Sequence, residues 1–214
     1  NKPNASIDYV KNSISCLYSN VDSLFNKRTE LSSIIETYSP DIICLTEILP
    51  INIKLKVQSS VYEISNFKLF TNIDSASCFR GVLIYIQYPL DANLLPNFSV
   101  VSELIWCTIK LKTKMLVIDC IYRSPNSSPD NDNSINNEID SMSKKFHNLV
   151  IMGDFNYPGI IWSNIISPIS ASTKLLPFVE TLRNSFLHQH VSKPTHYRNS
   201  QTPTLIDLII TSYY

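Results

Sequence analysis

Glycine is scarce in this chain, at three of 214 residues. A Gly-rich loop that wraps a nucleotide phosphate is therefore excluded as the basis of function. The chain also has no apolar run near the roughly 18 residues of a membrane-spanning helix. Its first ten residues, NKPNASIDYV, lack the basic-then-apolar pattern of a signal peptide. We therefore expect a soluble protein that does not interact with membranes.

Cysteine patterns typical of metal sites are absent as well. The five cysteines form no CxxC pair and no Cys/His cluster, which argues against structural zinc. Most of them lie within apolar, strand-like runs, where a thiol behaves as a small hydrophobic side chain. We expect these four to be reduced and structural: Cys16, Cys44, Cys107 and Cys120.

An excess of one charge is also missing, since Lys plus Arg and Asp plus Glu both number 18. No net field draws the protein towards nucleic acid or an anionic membrane, so any affinity for a polyanion must be local. The hydrophobic fraction of 44% and the charged fraction of 17% are those of an ordinary globular protein. We expect one domain, spanning residues 1–214.

Apolar periodicity predicts an α/β protein. Residues 51–72 mix apolar and polar side chains and could form a loop and an edge strand around 62–69, so their topology stays open. Residues 124–133 are predicted to be a loop from their composition. The predicted hairpin is the pair 104–111 and 114–122. Strands are predicted at 14–20, 41–45, 81–88, 104–111, 114–122, 149–152, 187–191 and 205–211, and helices at 27–38, 135–146 and 173–186.

The segment NLVIMGDFNY, residues 148–157, is the most informative one. Its apolar run predicts a strand buried on both faces, which ends at Gly153. In extended chain, residues two apart point the same way, so Asp154 and Asn156 are predicted to converge while Phe155 returns to the core. A carboxylate that can take a proton from water and an amide that can donate to phosphate suit metal-assisted attack on a phosphate ester. The alternative is an Asx turn that closes the strand.

Other predicted strands also end in, or contain, a single polar group. Asn20 and Glu47 follow two strands joined by one helix, and such strands usually lie side by side. Carboxylates and amides in small number suit Mg²⁺, which binds through one or two carboxylates plus a substrate phosphate. With no Ser-His pair in this set, the predicted chemistry is hydrolysis of a phosphate ester. The remaining polar groups are Tyr122 and Asp207.

Five segments in this order resemble the endonuclease/exonuclease/phosphatase family, and most of all the apurinic-type endonuclease domain of non-LTR (LINE-like) retrotransposons. GDFN alone is moderately specific, whereas five ordered blocks are strongly so. The resemblance implies a four-layered α/β sandwich with two mainly antiparallel sheets flanked by helices. The blocks are SNVDSLFNKRTEL, DIICLTE, CIYRSPN, VIMGDFN and PTHYRNSQTPTLIDLIITS.

The resemblance implies a role for each polar strand end. Glu47 would hold Mg²⁺, with Mn²⁺ as an alternative, and Asn20 would lie beside it in the metal and hydrogen-bond network. Asp154 would position and activate water, while Asn156 and Tyr122 would donate to the phosphate. Asp207 would orient a histidine. The blocks that surround these residues supply further candidates for contact with DNA: Arg123, Asn126, Thr195, His196 and Arg198.

The histidine that Asp207 would orient belongs, in the family, to a Ser-Asp-His segment on the next strand. The 214 residues end before such a segment, so we expect a domain truncated there, with weak or no activity. Asp207 itself lies within an apolar run. An ionised carboxylate in that position must find another donor, turn to solvent or take up a proton.

The function implied is a Mg²⁺-dependent endonuclease that nicks double-stranded DNA. Its 3′-hydroxyl product would prime a covalently linked, downstream reverse transcriptase, and it would act inside the cell, in the nucleus. One alternative is a phosphatase or phosphodiesterase of the same fold that acts on small or lipid phosphate esters. The other is an inactive relic domain that folds and at most binds DNA.

Overall fold

The computed structural model contains two β-sheets packed face to face, with helices on both outer faces, and it confirms the predicted α/β sandwich. It describes residues 13–50, 57–73, 80–95, 101–102, 104–162, 168–170, 173, 175–197 and 202–212.

The smaller sheet has four strands in the order β1-β2-β4-β3. Strands β1 and β2 run parallel, with Asn20 opposite Thr46, which confirms that the two strands lie side by side. Helix α1 (Leu24–Tyr38) connects them and packs on the outer face of this sheet. The strands are β1 (Cys16–Asn20), β2 (Ile42–Thr46), β3 (Phe67–Thr71) and β4 (Val82–Gln87).

The larger sheet has six strands in the order β11-β12-β8-β7-β6-β5. The predicted hairpin is confirmed as β6 and β7, and β7 then pairs in parallel with β8. Strands β9 and β10 form a separate two-stranded pair. In chain order the strands are β5 (Asp91–Leu94), β6 (Leu104–Lys110), β7 (Met115–Tyr122), β8 (Leu149–Asp154), β9 (Ile161–Trp162), β10 (Pro168–Ser170), β11 (Leu187–Gln189) and β12 (Asp207–Ser212).

Three apolar cores separate the four layers. The core between the sheets contains Ile84 and Ile118, both fully buried. Leu31 of α1 belongs to the core on the outer face of the smaller sheet. Helices α2 (Pro129–Lys145) and α3 (Leu176–Asn184) cover the larger sheet through a core that includes Ile139 and Phe178. Strands buried on both faces are apolar throughout, which is why their sequence signal was strong.

The start of α2 differs from the prediction. Residues 124–133 were predicted as a loop because they are rich in Ser, Asn, Asp and Pro. The helix begins at Pro129, and the Ser128 hydroxyl caps it by accepting a hydrogen bond from the Asn131 amide at 3.2 Å. These residue types are favoured in the cap and first turn of a helix as well as in loops, so composition alone misplaced the boundary.

Among the described cysteines, Cys44, Cys107 and Cys120 are buried free thiols, as predicted, whereas Cys16 is exposed. Strand β1 lies at the edge of its sheet, so the Cys16 residue is less enclosed than the cysteines of inner strands. Within the described residues, no helix has both the length and the apolar character needed to cross a membrane.

Candidate active site

The polar strand ends meet at one edge of the sandwich. Tyr122 lies opposite Asp154 in the β7–β8 pair, and Asp154 lies opposite Asp207 in the β8–β12 pair. Asn20, at the end of β1, reaches across to Asp154 from the other sheet. These side chains surround a pocket with a volume of about 710 Å³. It is lined by Tyr18, Ser19, Asn20, Asp22, Glu47, Arg80, Tyr122, Asp154, Thr195, His196, Ile206 and Asp207.

Asp154 is the most deeply enclosed carboxylate of the pocket, with 2% of the residue exposed. Its oxygens accept hydrogen bonds from Asn20 Nδ2 at 3.0 Å and from the Asn156 amide at 3.1 Å. Burial, followed by the nearby carboxylate of Asp207, raises the pKa of Asp154 to about 7, and Glu47 adds to the effect. A carboxyl group held in this way can exchange a proton near neutral pH.

Asp207 has the hydrogen-bond donor that its place in an apolar strand requires. The hydroxyl of Tyr18, on β1, donates to Asp207 Oδ1 at 2.8 Å, and it also lies 2.9 Å from Thr46 Oγ1. Burial and the carboxylates of Asp207 and Asp154 raise the pKa of Tyr18, so the phenol keeps its proton. Tyr18 carries no sequence signal of this role, because its partner Asp207 is distant in the chain.

Glu47 is part of a three-residue group that sequence analysis did not find. Arg80 Nη2 donates to Glu47 Oε2 and to Asp22 Oδ1, the latter at 2.5 Å. The exposed fractions of the side chains are 10% for Arg80, 19% for Glu47 and 76% for Asp22. Asp22 stands two residues after Asn20 in the SNVD segment, which is the signal that could have identified it.

The backbone around the pocket adopts conformations that are rare for residues with a side chain. Asp22, Glu47 and Asn156 have φ angles of 40°, 54° and 49°, and Ser23 has 82°. A positive φ is uncommon outside glycine and is tolerated where surrounding structure enforces it. Such residues cluster at functional sites, so the pocket is the best candidate for function.

Residues 116–213 match the sequence model of a family described as "Endonuclease-reverse transcriptase". That segment runs through β7, β8 and β12 and includes Tyr122, Asp154 and Asp207. No curated protein matches the chain.

Several solved structures share the fold. The endonuclease domain of TRAS1, a telomere-specific non-LTR retrotransposon, is 15% identical, with 92% of this chain and 83% of that chain covered and a TM-score of 0.69. A 3′-5′ exonuclease, NExo, from Neisseria meningitidis is 15% identical, with 93% of this chain and 86% of that chain covered and a TM-score of 0.66. The AP endonuclease LMAP from Leishmania major is 12% identical, with 93% of this chain and 79% of that chain covered and a TM-score of 0.67.

The resemblance to the endonuclease/exonuclease/phosphatase family is confirmed. The description of the matching family agrees with the predicted chemistry on phosphate esters. The polar strand ends of β1, β2, β7, β8 and β12 lie around one pocket, which brings together five of the predicted residues: Asn20, Glu47, Tyr122, Asp154 and Asp207.

Asn156 departs from the predicted arrangement. Strand β8 ends at Asp154, and the positive φ of Asn156 breaks the alternation expected for extended chain. The Asn156 side chain donates to the carbonyl oxygen of Arg123 at 2.8 Å and does not line the pocket. The prediction that Asn156 converges with Asp154 on the pocket is therefore wrong, and Asn156 instead fixes the loop after β8.

Arg123 is not the rim cation that was predicted to contact DNA. Arg123 is only 6% exposed, and its Nε and Nη2 donate to the two carboxylate oxygens of Asp132 at 2.7 and 2.8 Å. Its Nη1 donates to the Asn156 carbonyl at 3.0 Å, and the guanidinium lies 4.1 Å from the ring centre of Tyr157. Arg123 therefore fastens the first turn of α2 to the loop after β8.

The other predicted contacts with DNA fall into three groups. Thr195 and His196 line the pocket, and the backbone of His196 pairs with that of Thr204 at 2.9 and 3.0 Å. Asn126 is exposed in a turn before α2 and does not line the pocket. Arg198 lies outside the described residues.

The donor atoms of the pocket suit a hard divalent cation. Within the described ranges, no three His, Cys, Asp or Glu side chains form a ready-made metal cluster. Mg²⁺ does not need one, because it binds through one or two carboxylates and keeps waters for the rest. Burial raises the pKa of Asp154 most, and the negative charges of Asp207 and Glu47, which a cation would balance, raise it further. Glu47 Oε2 is engaged by Arg80, whereas Oε1 has no partner among the described residues.

Proposed function

We propose that this chain is the divalent-metal-dependent DNA endonuclease domain of a non-LTR retrotransposon. It nicks one strand of double-stranded DNA and leaves a 3′-hydroxyl. The observation that carries the proposal is the single pocket around which Glu47, Asp154, Asp207 and Tyr122 meet. The family match, described as endonuclease-reverse transcriptase, supports the retrotransposon assignment.

The proposed reaction is hydrolysis of a phosphodiester. A water oxygen attacks phosphorus, the bond from phosphorus to the 3′ oxygen breaks, and the products are a 5′-phosphate and a 3′-hydroxyl. Asp154, held by Asn20, orients this water and accepts its proton. The Tyr122 hydroxyl donates to the phosphate, while the leaving oxygen takes a proton from solvent. A Mg²⁺ or Mn²⁺ ion bound at Glu47 would supply stabilisation of the negative charge that develops on the phosphate.

Recognition of DNA must come from local groups, because the chain has no net charge. Thr195 and His196 lie at the pocket wall and are proposed to contact the strand beside the cleaved phosphate. Arg198, which follows in the same segment, is proposed as a further contact. The 3′-hydroxyl would serve a covalently linked reverse transcriptase as primer, and the nick would be made in the nucleus.

The proposal is tested by nicking of supercoiled plasmid in Mg²⁺, with Glu47→Gln as the decisive variant. Glutamine keeps the side-chain volume and removes the anionic ligand, so we expect the fold to persist and the Mg²⁺-dependent nicking to be lost. Glu36→Gln, on the exposed surface of α1, is the matched control and should nick like the wild type. Unchanged nicking by Glu47→Gln would show that Glu47 does not bind the cation.

Two further arms separate the alternatives. Release of phosphate from 3′-phosphorylated oligonucleotides or small esters, without plasmid nicking, would show that the protein is a phosphatase. A folded protein that binds DNA but performs neither reaction in Mg²⁺ or Mn²⁺ would assign a relic domain.

A further inference from the structure

Arg80 is a buried cation that lies directly against the carboxylate proposed to hold a metal ion. One of its nitrogens, Nη2, donates to both Glu47 Oε2 and Asp22 Oδ1. The residue is 9% exposed. The other two nitrogens, Nε and Nη1, are buried and have no hydrogen-bond partner among the described residues. A guanidinium normally uses its fork of donors more fully than this, so the ion pair accounts for its position but does not satisfy it.

The backbone holds the three residues of this group in place. The Leu49 amide donates to the Arg80 carbonyl at 2.8 Å, which attaches the start of β4 to the segment after β2. The Ser23 amide donates to the Glu47 carbonyl at 2.8 Å. Gly81 follows Arg80 with a φ of 72°, and a side chain there would collide with Ile48 and Ile73. The Arg80–Glu47 pair is therefore part of a fixed framework and differs from a loose surface salt bridge.

We propose that Arg80 competes with the divalent cation for Glu47 and so limits how tightly the pocket binds that cation. The inference rests on the proposed cation site at Glu47. A cation that binds Glu47 must either displace Nη2 from Oε2 or share the carboxylate with it, at a separation where like charges repel strongly in a partly buried pocket. The hydrogen bond from Nη2 to Oε2 must therefore be broken or shared before a cation can bind this carboxylate oxygen.

A purely orienting role for Arg80 predicts the opposite effect on cation affinity. If Arg80 only held Glu47 in position, its removal would free the carboxylate to move and would weaken cation binding. Competition predicts tighter binding, because removal of Arg80 frees Oε2 and removes the repulsion. The sign of the change in affinity therefore separates the two roles without any measurement of activity.

The experiment is calorimetric titration of Mn²⁺ into wild type, Arg80→Gln, Arg80→Lys and Glu47→Gln, after thermal melts confirm that each is folded. We expect Arg80→Gln to bind Mn²⁺ at least about tenfold more tightly than wild type, as the like charge is lost. Arg80→Lys should stay close to wild type, and Glu47→Gln should lose the site. Arg183→Gln, an exposed arginine on α3, is the control for loss of one positive charge elsewhere.

Arg80→Met, which keeps the apolar stem of the side chain, replaces Arg80→Gln if that variant does not fold, and the same tighter binding is expected. Equal or weaker Mn²⁺ binding by the folded variant, while wild type binds through Glu47, would overturn the competition and leave the proposed function intact. Absence of Mn²⁺ binding in every protein would overturn both. Binding only when Arg80 is replaced would show that the guanidinium blocks the site completely.

Discussion

At the scale of single residues, the pocket is built from one polar group per strand end, and three of these groups are held by partners distant in sequence. Asn20 holds Asp154, Tyr18 holds Asp207, and Arg80 holds Glu47. Fixed side chains lose little freedom when a substrate binds, which is what a preorganised site requires. Of the three residues that hold these carboxylates, Tyr18 and Arg80 were not revealed by sequence motifs.

Tyr122→Phe tests the phosphate donor proposed in the pocket. The residue is 8% exposed, and phenylalanine fills the same space, so the fold should persist. Loss of one preorganised donor typically slows a reaction about 10²–10³-fold, and we expect single-turnover nicking to fall by about that factor. Tyr38→Phe, at the exposed end of α1, is the control. A change below about threefold would show that the Tyr122 hydroxyl contributes little beyond packing.

At the scale of elements, the close approach of β7 and β8 explains the glycine of the GDFN motif. A Cβ atom on Gly153 would overlap the carbonyl oxygen of Ile121 on the neighbouring strand. Backbone atoms in the middle of a sheet cannot move aside as a flexible side chain can. Gly153 therefore permits the spacing that brings Tyr122 and Asp154 together.

Gly153→Ala should lower the free energy of unfolding by about 1–3 kcal/mol or more, the usual cost of forcing an extra methyl into a packed interior. Urea denaturation measures this change. Gly159→Ala is the matched control, because its Cβ would meet only the end of the Leu175 side chain, 3.0 Å away. Equal stability of the two variants would show that β8 can shift without cost.

Strand β7 also carries a buried acid under α2. Asp119 is fully buried, and backbone hydrogen bonds from Ile105 and Cys120 offset this burial only in part. It lies opposite Trp106, whose indole donates to Glu138 Oε1 at 2.8 Å. Burial, followed by the neighbouring Cys120 and Glu138, raises the pKa of Asp119 well above its ordinary value of 3.8. The folded protein therefore holds a proton on Asp119 that the unfolded chain releases.

Asp119→Asn should stabilise the protein more as pH rises. Below the unfolded pKa, both states of the wild type carry the proton, so the variant gains little. Above that pH, only the unfolded state ionises, and the wild type loses stability until pH reaches the folded pKa. We expect little gain near pH 4 and a gain that grows towards pH 8 by at most about 1.4 kcal/mol per pH unit, the limit for one proton. Thermal melts across this range measure it, and a gain independent of pH would contradict it.

At the scale of the whole molecule, neutral net charge conceals an uneven distribution. The pocket end carries Asp22, Glu47, Asp154 and Asp207. The turn between β6 and β7 and the end of α2 carry exposed lysines at the other end of the sandwich. Strand β7 separates the two ends by roughly 23 Å at the usual rise per residue. These lysines are Lys110, Lys112, Lys114, Lys144 and Lys145.

DNA bound at the pocket should therefore show weak dependence on salt. Both described arginines near the pocket, Arg80 and Arg123, are engaged in ion pairs. We expect a plot of log affinity against log salt with a slope shallower than about −3, because each neutralised phosphate contributes about −0.9. Fluorescence anisotropy in Mg²⁺ measures it, and Lys112→Gln should leave the slope unchanged. A steeper slope that becomes shallower in Lys112→Gln would show that DNA binds at the lysine-rich end instead.

The sequence determined the elements and their order with few errors. Strands buried on both faces, such as β2 and β8, are continuous apolar runs, and amphipathic helices such as α1 repeat at 3.6 residues. The short strands β5, β9 and β10 were missed because two to four residues carry too little periodicity. The polar strand ends were found because a single polar group after an apolar run is visible in one dimension.

Which polar groups share the pocket depends on how the elements pack and could not be predicted from the sequence. Arg123 and Asn156 were predicted from adjacent motifs to face substrate, yet they bond to each other and fix a loop. Arg80 and Tyr18 lack any motif, yet they hold Glu47 and Asp207. The physical reason is that periodicity reports burial, which is a local property of a strand or helix. Hydrogen bonds and ion pairs between side chains depend on how separate elements pack, and that packing is set by the three cores together.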